Sequence, residues 1–358
     1  MTLPSLKQIA VWSVSVVIAA LGGLIATWIG TPLPWLLGGM VAAAVALMLG
    51  VTVAGEPISF PQGPRMAFIT IIGVAIGGSA TPGMWAEVGE WWISLAGVAV
   101  FVLAAHAMNY QLFLRVAGYD RPTAFYCATP GGLIESVQLG EEAGGNPALL
   151  TVQHFSRIAI TVTLVPLIYW AMRGEAVGSA AGVGFDAAET EIGLVDLVLL
   201  AGCAVLGGWG GRKIGFPAAI ITGPVILSTL VHAFGWTEAQ PPDWLIAVAQ
   251  LVIGLGLAMR FRGMTRGLLM QGIGLGLCTV TMMLALGAAL AGAISLTEEH
   301  SFQILFMCYA PGGVVEMGLI ALSLGVSPVL VTLHHIIRIG LTVVIIPLIG
   351  QRILTPPP

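Results

Sequence analysis

The strongest constraint on this chain is a long block of sequence that occurs twice. The first copy, Pro130 to Ile168, returns as Pro311 to Ile349 at a constant offset and without a gap. The identical positions include three pairs that are unusual in an apolar segment: Glu135/Glu316, His154/His335 and Arg157/Arg338. Further upstream, Ile29-Gly30 with Pro32, Gly38 and Gly50 matches Ile214-Gly215 with Pro217, Gly223 and Gly235. Self-similarity of this kind indicates two copies of one structural unit.

The composition places both copies in a membrane. The chain has 358 residues, of which 57% are hydrophobic and 8% charged, with a mean hydropathy of +0.98. A dozen apolar segments follow one another, most of them near the length of about 20 residues that a helix needs to cross a bilayer. The first of these, Ile9 to Ile29, exceeds the apolar core of a cleavable signal peptide and is interpreted as a retained helix. We therefore expect an all-α polytopic membrane protein.

The repeats define the expected domains. Residues 1–175 form the first membrane repeat, residues 176–191 a linker rich in Gly, Ala and acids, and residues 192–358 the second repeat. Each repeat is expected to hold about five spanning helices and one broken or re-entrant segment around a Pro-Gly-Gly sequence. The short segment 66–80 is an alternative for the segment that does not span.

The distribution of Lys and Arg favours this count of crossings, because cationic residues collect on the cytoplasmic side. If the Pro-Gly-Gly segments enter and leave on one side, only Arg173 opposes a large group of cationic residues on the side of the N-terminus. That group consists of Lys7, Arg65, Arg115, Arg121, Arg212, Lys213, Arg260, Arg262, Arg266 and Arg352. Both termini of this multi-pass protein are then expected to be cytoplasmic.

An odd number of crossings in each half inverts the second repeat relative to the first. The loops agree, because Arg115 and Arg121 correspond to the loop with Glu298 and Glu299. Inverted repeats are typical of secondary transporters, whose substrate sites lie near the bilayer midplane where the repeats meet.

The two Pro-Gly-Gly sequences are the first candidate site elements. Proline lacks an amide donor and glycine tolerates non-helical dihedral angles, so each sequence is expected to end one helix and start another. The amides at the new helix starts, after Gly131-Gly132 and Gly312-Gly313, offer a partial positive charge to an anion. The alternative is a kink that serves helix packing alone.

Three pairs of ionisable residues follow each break. Glu135 and Glu316 fall in the first turn of the new helices, where they either cap the helix or bind a proton or cation. His154 lies three residues from Arg157, as His335 does from Arg338, so each pair shares a helix face. An arginine deep in an apolar helix must pair internally or bind an anion, which leaves two alternatives: an anion site, or ion pairs of the arginines with Glu135 or Glu316.

The remaining histidines show no spacing typical of metal ligands. These are His106, His232, His300 and His334, the last without a counterpart in the first repeat. We expect them to be hydrogen-bonded or solvated, and we assign no catalytic or metal-binding residue. The net charge of −4 gives no indication of a nucleic-acid partner.

The doubled PGG-x-x-E, G-x-x-P and H-x-x-R block, with the upstream GTPLPWLLGG, resembles the AbrB-type bacterial inner-membrane family over residues 9 to 350. Members of that family carry the same unit twice and are described as transporters, as ammonia monooxygenase and as regulators of gene expression. The small soluble DNA-binding regulator that shares the name is a different protein, since this chain is far too apolar. Ser136-Val137-Gln138 against Met317-Gly318-Leu319 shows that the two halves are not equivalent.

The expected function is secondary transport of a small organic anion, foremost a carboxylate, coupled to protons or sodium. Arg157 and Arg338, with the helix starts after Pro-Gly-Gly, would bind the anion, while Glu135, Glu316, His154 and His335 would carry or gate the coupling ion. The lipid bilayer is a second partner, and a homo-oligomer is left open. Two alternatives remain: a membrane oxidoreductase of the monooxygenase kind, with a metal held by converging histidines and carboxylates, and a membrane sensor or regulator that acts through a partner protein.

Overall fold

The computed structural model describes residues 4–173, 192–298 and 300–354, with the side chain of Arg173 left out. Its helices are α1 Leu6–Ile29, α2 Pro34–Met48, α3 Gln62–Gly78, α4 Met84–Glu87, α5 Trp92–Gln111, α6 Arg121–Cys127, α7 Leu133–Glu142, α8 Pro147–Arg173, α9 Leu194–Ile214, α10 Ala219–Ala233, α11 Asp243–Ala258, α12 Arg266–Ile294, α13 Phe302–Tyr309, α14 Val314–Leu324 and α15 Pro328–Leu354. A π-helical stretch, Leu112–Val116, prolongs α5, and 3-10 turns follow α4 and α11. The described strands are limited to one two-residue hairpin, Thr52–Val53 with Glu56–Pro57. The all-α prediction is confirmed.

Seven of the described helices are long and apolar enough to cross a membrane. They are Leu6–Ile29, Trp92–Val116, Pro147–Met172, Leu194–Ile214, Asp243–Phe261, Arg266–Ile294 and Pro328–Leu354. Helices α2 and α10 have 15 residues each, which at about 1.5 Å per residue falls short of a hydrocarbon core of about 30 Å. The chain is a membrane protein, whereas five crossings in each repeat and their inverted orientation stay predictions.

The chain folds into two compact units, and each takes elements from both sequence repeats. Unit 1 comprises Met1–Pro82, Thr163–Gly263 and Gly318–Val329. Unit 2 comprises Gly83–Val162, Met264–Met317 and Leu330–Pro358. The predicted repeat boundaries stay predictions, and the linker at 176–191 lies outside the described residues.

Within unit 1, matching glycines bring matching helices together. A Cβ at Gly38 of α2 would collide with the Gly22 carbonyl oxygen of α1, and a Cβ at Gly223 of α10 would collide with the Gly207 carbonyl oxygen of α9. Gly207 and Gly223 are the counterparts of Gly22 and Gly38 in the upstream sequence match. That match therefore corresponds to the same close helix crossing in each repeat.

The third helices of unit 1 are exchanged between the repeats. A Cβ at Gly73 of α3 would lie 3.0 Å from the Ile221 carbonyl oxygen of α10. In the counterpart, a Cβ at Gly254 of α11 would collide with the Leu36 carbonyl oxygen of α2. Helix α3 of the first repeat thus packs against α10 of the second, and α11 of the second repeat packs against α2 of the first.

Unit 2 holds the candidate site. In it α12 packs against α5 and α13, and α6 packs against α7. Gly97 of α5 and Gly287 of α12 leave room for Tyr309 at the end of α13. Every residue predicted for the site belongs to this unit.

Candidate functional site

The Pro-Gly-Gly sequences break the chain as predicted. Helix α6 ends at Cys127 and α7 begins at Leu133, while α13 ends at Tyr309 and α14 begins at Val314. Gly132 precedes α7 with φ +58°, a left-handed conformation that favours glycine. Each break leaves the last carbonyl groups of one helix and the first amides of the next without helical partners. Entry and exit of the broken segment on one side of the membrane stays a prediction.

The two arginines bind the carbonyl groups that the breaks set free. Arg157 donates from Nη1 to the carbonyl oxygen of Thr129. Arg338 donates from Nη1 to that of Ala310 and from Nη2 to that of Gly312. Since Thr129 and Ala310 each directly precede a Pro-Gly-Gly sequence and are repeat counterparts, both arginines cap the helix that ends at the break.

The ion pairs considered from the sequence are not formed by either arginine in the described structure. Every hydrogen bond that it gives Arg157 and Arg338 ends on a backbone carbonyl oxygen. Each Nε is buried without a hydrogen-bond partner among the described residues. The side chains are 5% and 2% exposed, respectively, and the charge of Arg157 acts on Arg338. The two buried like charges therefore oppose each other, and each guanidinium keeps its Nε–H available for a further acceptor.

Each break packs against the long helix of the other repeat. A Cβ at Gly131 would lie 3.1 Å from Thr342 Oγ1 of α15, and a Cβ at Gly312 would lie 3.4 Å from Thr161 Cγ2 of α8. Thr161 and Thr342 are again repeat counterparts. The reciprocal contacts bring the two breaks and the two arginine-bearing helices together in one place within unit 2.

The glutamates fold back over the helix starts. Glu135 is half-buried and Glu316 is 7% exposed, each in the first turn of its helix. A Cβ at Gly132 would lie 3.5 Å from Glu135 Oε2, and one at Gly313 would collide with Glu316 Oε2. This placement favours the capping interpretation, in which a third-position carboxylate reaches back toward the amide that begins the helix.

The paired histidines also face the breaks. His154 Nε2 lies 3.0 Å from the carbonyl oxygen of Tyr126, and its Nδ1 has no partner among the described residues. His335 lies 2.8 Å from the Val331 oxygen through Nδ1 and 3.1 Å from the Ala310 oxygen through Nε2. A neutral imidazole has only one N–H, so a proton added to His335 would complete both hydrogen bonds.

The expectation for the other histidines is confirmed at one of them and wrong at another. His232 lies within 2.8 Å and 2.9 Å of the carbonyl oxygens of Ser228 and Ala239. His106 is buried, and both of its nitrogens lack a partner among the described residues. Its ring instead packs edge-on against Phe125 at a centroid distance of 4.5 Å. The ring also stacks on Tyr110 of its own helix, with centroids 6.3 Å apart, so His106 lies among aromatic side chains.

Sequence reasoning missed the hydroxyl groups of the first break. Thr129 Oγ1 donates to Ser136 Oγ at 2.7 Å, and Ser136 Oγ donates to the Gly131 carbonyl oxygen at 3.2 Å. The second repeat has Ala310 and Met317 at these positions. The sequence shows that Ser136 and Met317 differ. Only the contacts show that this difference gives the first break hydroxyl hydrogen bonds that the second break lacks.

The described residues contain no group of three or more His, Cys, Asp or Glu placed to hold a metal ion. The candidate site consists instead of two guanidinium groups, two helix starts, two carboxyl groups and two imidazoles. This arrangement is suited to binding a small anion and to responding to protonation.

Comparison with known proteins gives the family. The family model AbrB, described as "Transition state regulatory protein AbrB", matches residues 35–353. "Uncharacterized protein YhjN" of Bacillus subtilis (strain 168) is 23% identical over 362 residues, which cover 93% of this chain and 90% of that protein. "Putative regulator AbrB" of Escherichia coli (strain K12) is 21% identical over 311 residues, 86% of each chain. Because the family model spans both breaks and both arginine-bearing helices, the chain belongs to the AbrB family.

Proposed function

We propose that the chain is a secondary active transporter that moves a small organic anion, foremost a carboxylate, across a bacterial inner membrane. The observation that carries the proposal is the pair of buried guanidinium groups of Arg157 and Arg338, whose hydrogen bonds to the described residues all end on backbone carbonyl groups. Burying a charge is costly unless an opposite charge accompanies it. A carboxylate between the arginines would supply that charge and accept from the buried Nε groups.

The helix starts would complete the anion site. The first-turn amides after Gly131-Gly132 and Gly312-Gly313 belong to helices α7 and α14, of 10 and 11 residues. Amides at a helix start carry a partial positive charge. A carboxylate that reaches them from the arginines would be held from two directions, as half-helices hold substrates in other transporters.

The coupling ion would be a proton or sodium bound among Glu135, Glu316, His154 and His335. Protonation of His335 would satisfy a second carbonyl oxygen, that of Ala310, for which Arg338 also competes. Protonation could thus loosen the hold of Arg338 on the break and free its N–H groups for the anion. Access to the site would alternate by movement of the motif-bearing helices against the remaining helices, with both termini in the cytoplasm.

A thermal-unfolding screen of detergent-purified protein tests the anion site. The ligands are acetate, succinate, citrate, phosphate, sulfate and sodium chloride, applied to the wild type and to Arg157→Lys, Arg338→Lys and the exposed control Arg352→Lys. A ligand at about 100 times its dissociation constant adds about 2.7 kcal/mol to the free energy of unfolding. We expect stabilisation by carboxylates in the wild type and in the control, and none in the two site variants, because lysine lacks the planar fork.

Stabilisation that survives in both site variants would refute the anion site. The result would then favour a regulatory role, for which the name of the Escherichia coli relative, "Putative regulator AbrB", is the supporting observation. Such a role requires a partner protein, so co-purification of a stoichiometric cytosolic partner with the intact chain would support it. For the oxidoreductase alternative, the described residues offer no cluster of metal ligands that favours it.

A further inference from the structure

The two breaks satisfy the same backbone oxygen in different ways. In the second repeat, the carbonyl oxygen of Gly312 accepts from Arg338 Nη2. Its counterpart in the first repeat is the carbonyl oxygen of Gly131, which accepts from Ser136 Oγ at 3.2 Å. A serine hydroxyl thus takes the place that a guanidinium nitrogen has in the other repeat.

This difference changes how firmly each arginine is held. Arg338 is bound through both terminal nitrogens, because Nη1 donates to Ala310 and Nη2 to Gly312. Arg157 donates from Nη1 to Thr129, and this is the one hydrogen bond that its guanidinium makes to the described residues. Its Nη2 is therefore without a partner among those residues, as is the buried Nε.

The nitrogens of Arg157 that lack a described partner are suited to a carboxylate. Nε and Nη2 lie side by side on the planar guanidinium, and two parallel N–H groups bind both oxygens of a carboxylate. The first break also lies against the other arginine, since a Cβ at Gly131 would lie 3.6 Å from the carbonyl oxygen of Arg338. The two arginines are counterparts in sequence, but Arg157 offers a ligand more than Arg338, whose Nη2 is engaged at the second break.

The side chains next to the breaks explain the difference. Ser136 is 3% exposed, and its Oγ accepts from Thr129 Oγ1 at 2.7 Å, which helps to orient the hydroxyl. The corresponding residues of the second repeat, Ala310 and Met317, have no hydroxyl. A Cβ at Gly312 would instead collide with Met317 Sδ, so a thioether covers that glycine. The carbonyl group of the glycine is accordingly left to the arginine.

We propose that Ser136 is a positioning residue of the anion site, whose hydroxyl holds the Gly131 carbonyl group and so leaves Nη2 of Arg157 for a carboxylate. Arg157 then binds the carboxylate through Nε and Nη2, while Arg338 adds an N–H from Nε. The role toward a ligand rests on the proposed function. The competition of Ser136 and Arg157 for one carbonyl group does not, and it can be measured without a ligand.

A double-mutant cycle tests the competition in the ligand-free protein. Removal of the hydroxyl in Ser136→Ala should let Arg157 Nη2 turn to the Gly131 carbonyl group, as its counterpart does in the second repeat, so the unfolding temperature in detergent should change little. In the background of Arg157→Lys, which lacks a second terminal nitrogen, the same substitution should lower the unfolding temperature clearly. Equal shifts in the two backgrounds would overturn the proposal, because the arginine would then not replace the hydroxyl.

Acetate tests the consequence for the ligand, since it has one carboxylate and no other polar group. Its dissociation constant follows from the rise of the unfolding temperature with acetate concentration at constant ionic strength. The variants are Ser136→Ala, Ser136→Thr, which keeps the hydroxyl, and the control Ser156→Ala. Ser156 is a buried serine next to Arg157 whose Oγ has no hydrogen-bond partner in the part of the chain that the structure describes.

We expect acetate to bind about tenfold or more weakly to Ser136→Ala, because one charge-assisted hydrogen bond to the carboxylate is lost. Ser136→Thr and Ser156→Ala should keep the affinity of the wild type. A hydroxyl that only stabilises the break would lower the unfolding temperature of Ser136→Ala and leave its acetate affinity unchanged, and that result would overturn the proposal. An equal loss of affinity in Ser156→Ala would overturn it as well.

The two measurements separate this inference from the proposed function. If acetate and the other carboxylates fail to stabilise the wild type, the proposed function fails, and the role of Ser136 toward a ligand fails with it. Unequal shifts in the ligand-free cycle would still support the competition of Ser136 and Arg157 for the Gly131 carbonyl group. If carboxylates stabilise the wild type and Ser136→Ala with equal affinity, the transporter proposal stands and this inference is wrong.

Discussion

Arg338 donates from Nη2 to the carbonyl oxygen of Gly312, so a buried guanidinium holds the backbone of the second break. The same side chain caps α13 through the carbonyl oxygen of Ala310. Among the described residues, Arg157 makes the corresponding bond to Thr129 alone. The guanidinium groups that would attract an anion therefore also support the backbone. Any movement of the breaks must change how many guanidinium N–H groups are available to an anion.

Substitution of the arginines by alanine should destabilise the protein unequally. Arg338→Ala removes the arginine donor from two buried carbonyl groups, of which that of Ala310 still faces His335 Nε2 at 3.1 Å, and Arg157→Ala removes it from one, at about 1–3 kcal/mol for each group left without a donor. We expect Arg338→Ala to lose about 2–4 kcal/mol and Arg157→Ala about 1–3, while the exposed control Arg352→Ala stays within about 0.5. Thermal unfolding in detergent measures the order. Equal values for all three variants would contradict the capping role.

Replacement of Gly132 separates backbone strain from site geometry. Gly132 and Gly30 have φ angles of +58° and +77°, so alanine should cost about 1–2 kcal/mol at either position. A Cβ at Gly30 meets nothing within 4 Å, whereas one at Gly132 lies 3.1 Å from Val343 Cγ2. We expect Gly132→Ala to abolish stabilisation by carboxylates as well, and Gly30→Ala to keep it in the same thermal screen. If carboxylates stabilise both variants equally, Gly132 is not part of the anion site.

The sequence predicted the parts of the site that carry a local pattern. Proline followed by two glycines breaks a helix wherever it occurs, so the breaks and the first-turn positions of Glu135 and Glu316 followed directly. The three-residue spacing likewise placed His335 and Arg338 on one helix face, and both reach the carbonyl oxygen of Ala310.

The partners of the arginines could not be predicted in this way. Every residue has a carbonyl group, and nothing in its side chain reveals that Thr129 or Gly312 will receive a guanidinium. The sequence therefore favoured glutamate as the partner, because a carboxylate is specified by its residue type, whereas every residue carries a backbone oxygen. The packing of α3 and α11 against the other repeat could not be predicted for a similar reason, because Gly73 and Gly254 contact backbone atoms of that repeat.

The close crossing of α9 and α10 in unit 1, at Gly207 and Gly223, should tolerate no added methyl group. Gly223→Ala would drive Cβ into the Gly207 carbonyl oxygen, and neither backbone can yield without moving its helix. We expect a loss of about 1–3 kcal/mol. The matched control Gly202→Ala lies on α9 with nothing within 4 Å and should be neutral or slightly stabilising, since alanine favours helix. Similar unfolding temperatures for the two variants would contradict the close crossing.

Single cysteines should reveal the inverted orientation of the repeats. Val116 and Leu296 lie in corresponding regions at the ends of α5 and α12, and they are 73% and 86% exposed. In a background with all four native cysteines replaced by serine, Val116→Cys and Leu296→Cys are treated with a membrane-impermeant maleimide in intact spheroplasts. The positive-inside distribution places Val116 in the cytoplasm, so we expect labelling of Leu296→Cys only, and of both after the membrane is permeabilised. Equal labelling in intact spheroplasts would put the two loops on one side, and the repeats would then be parallel rather than inverted, which would remove the argument for two helix starts that approach the anion from opposite faces.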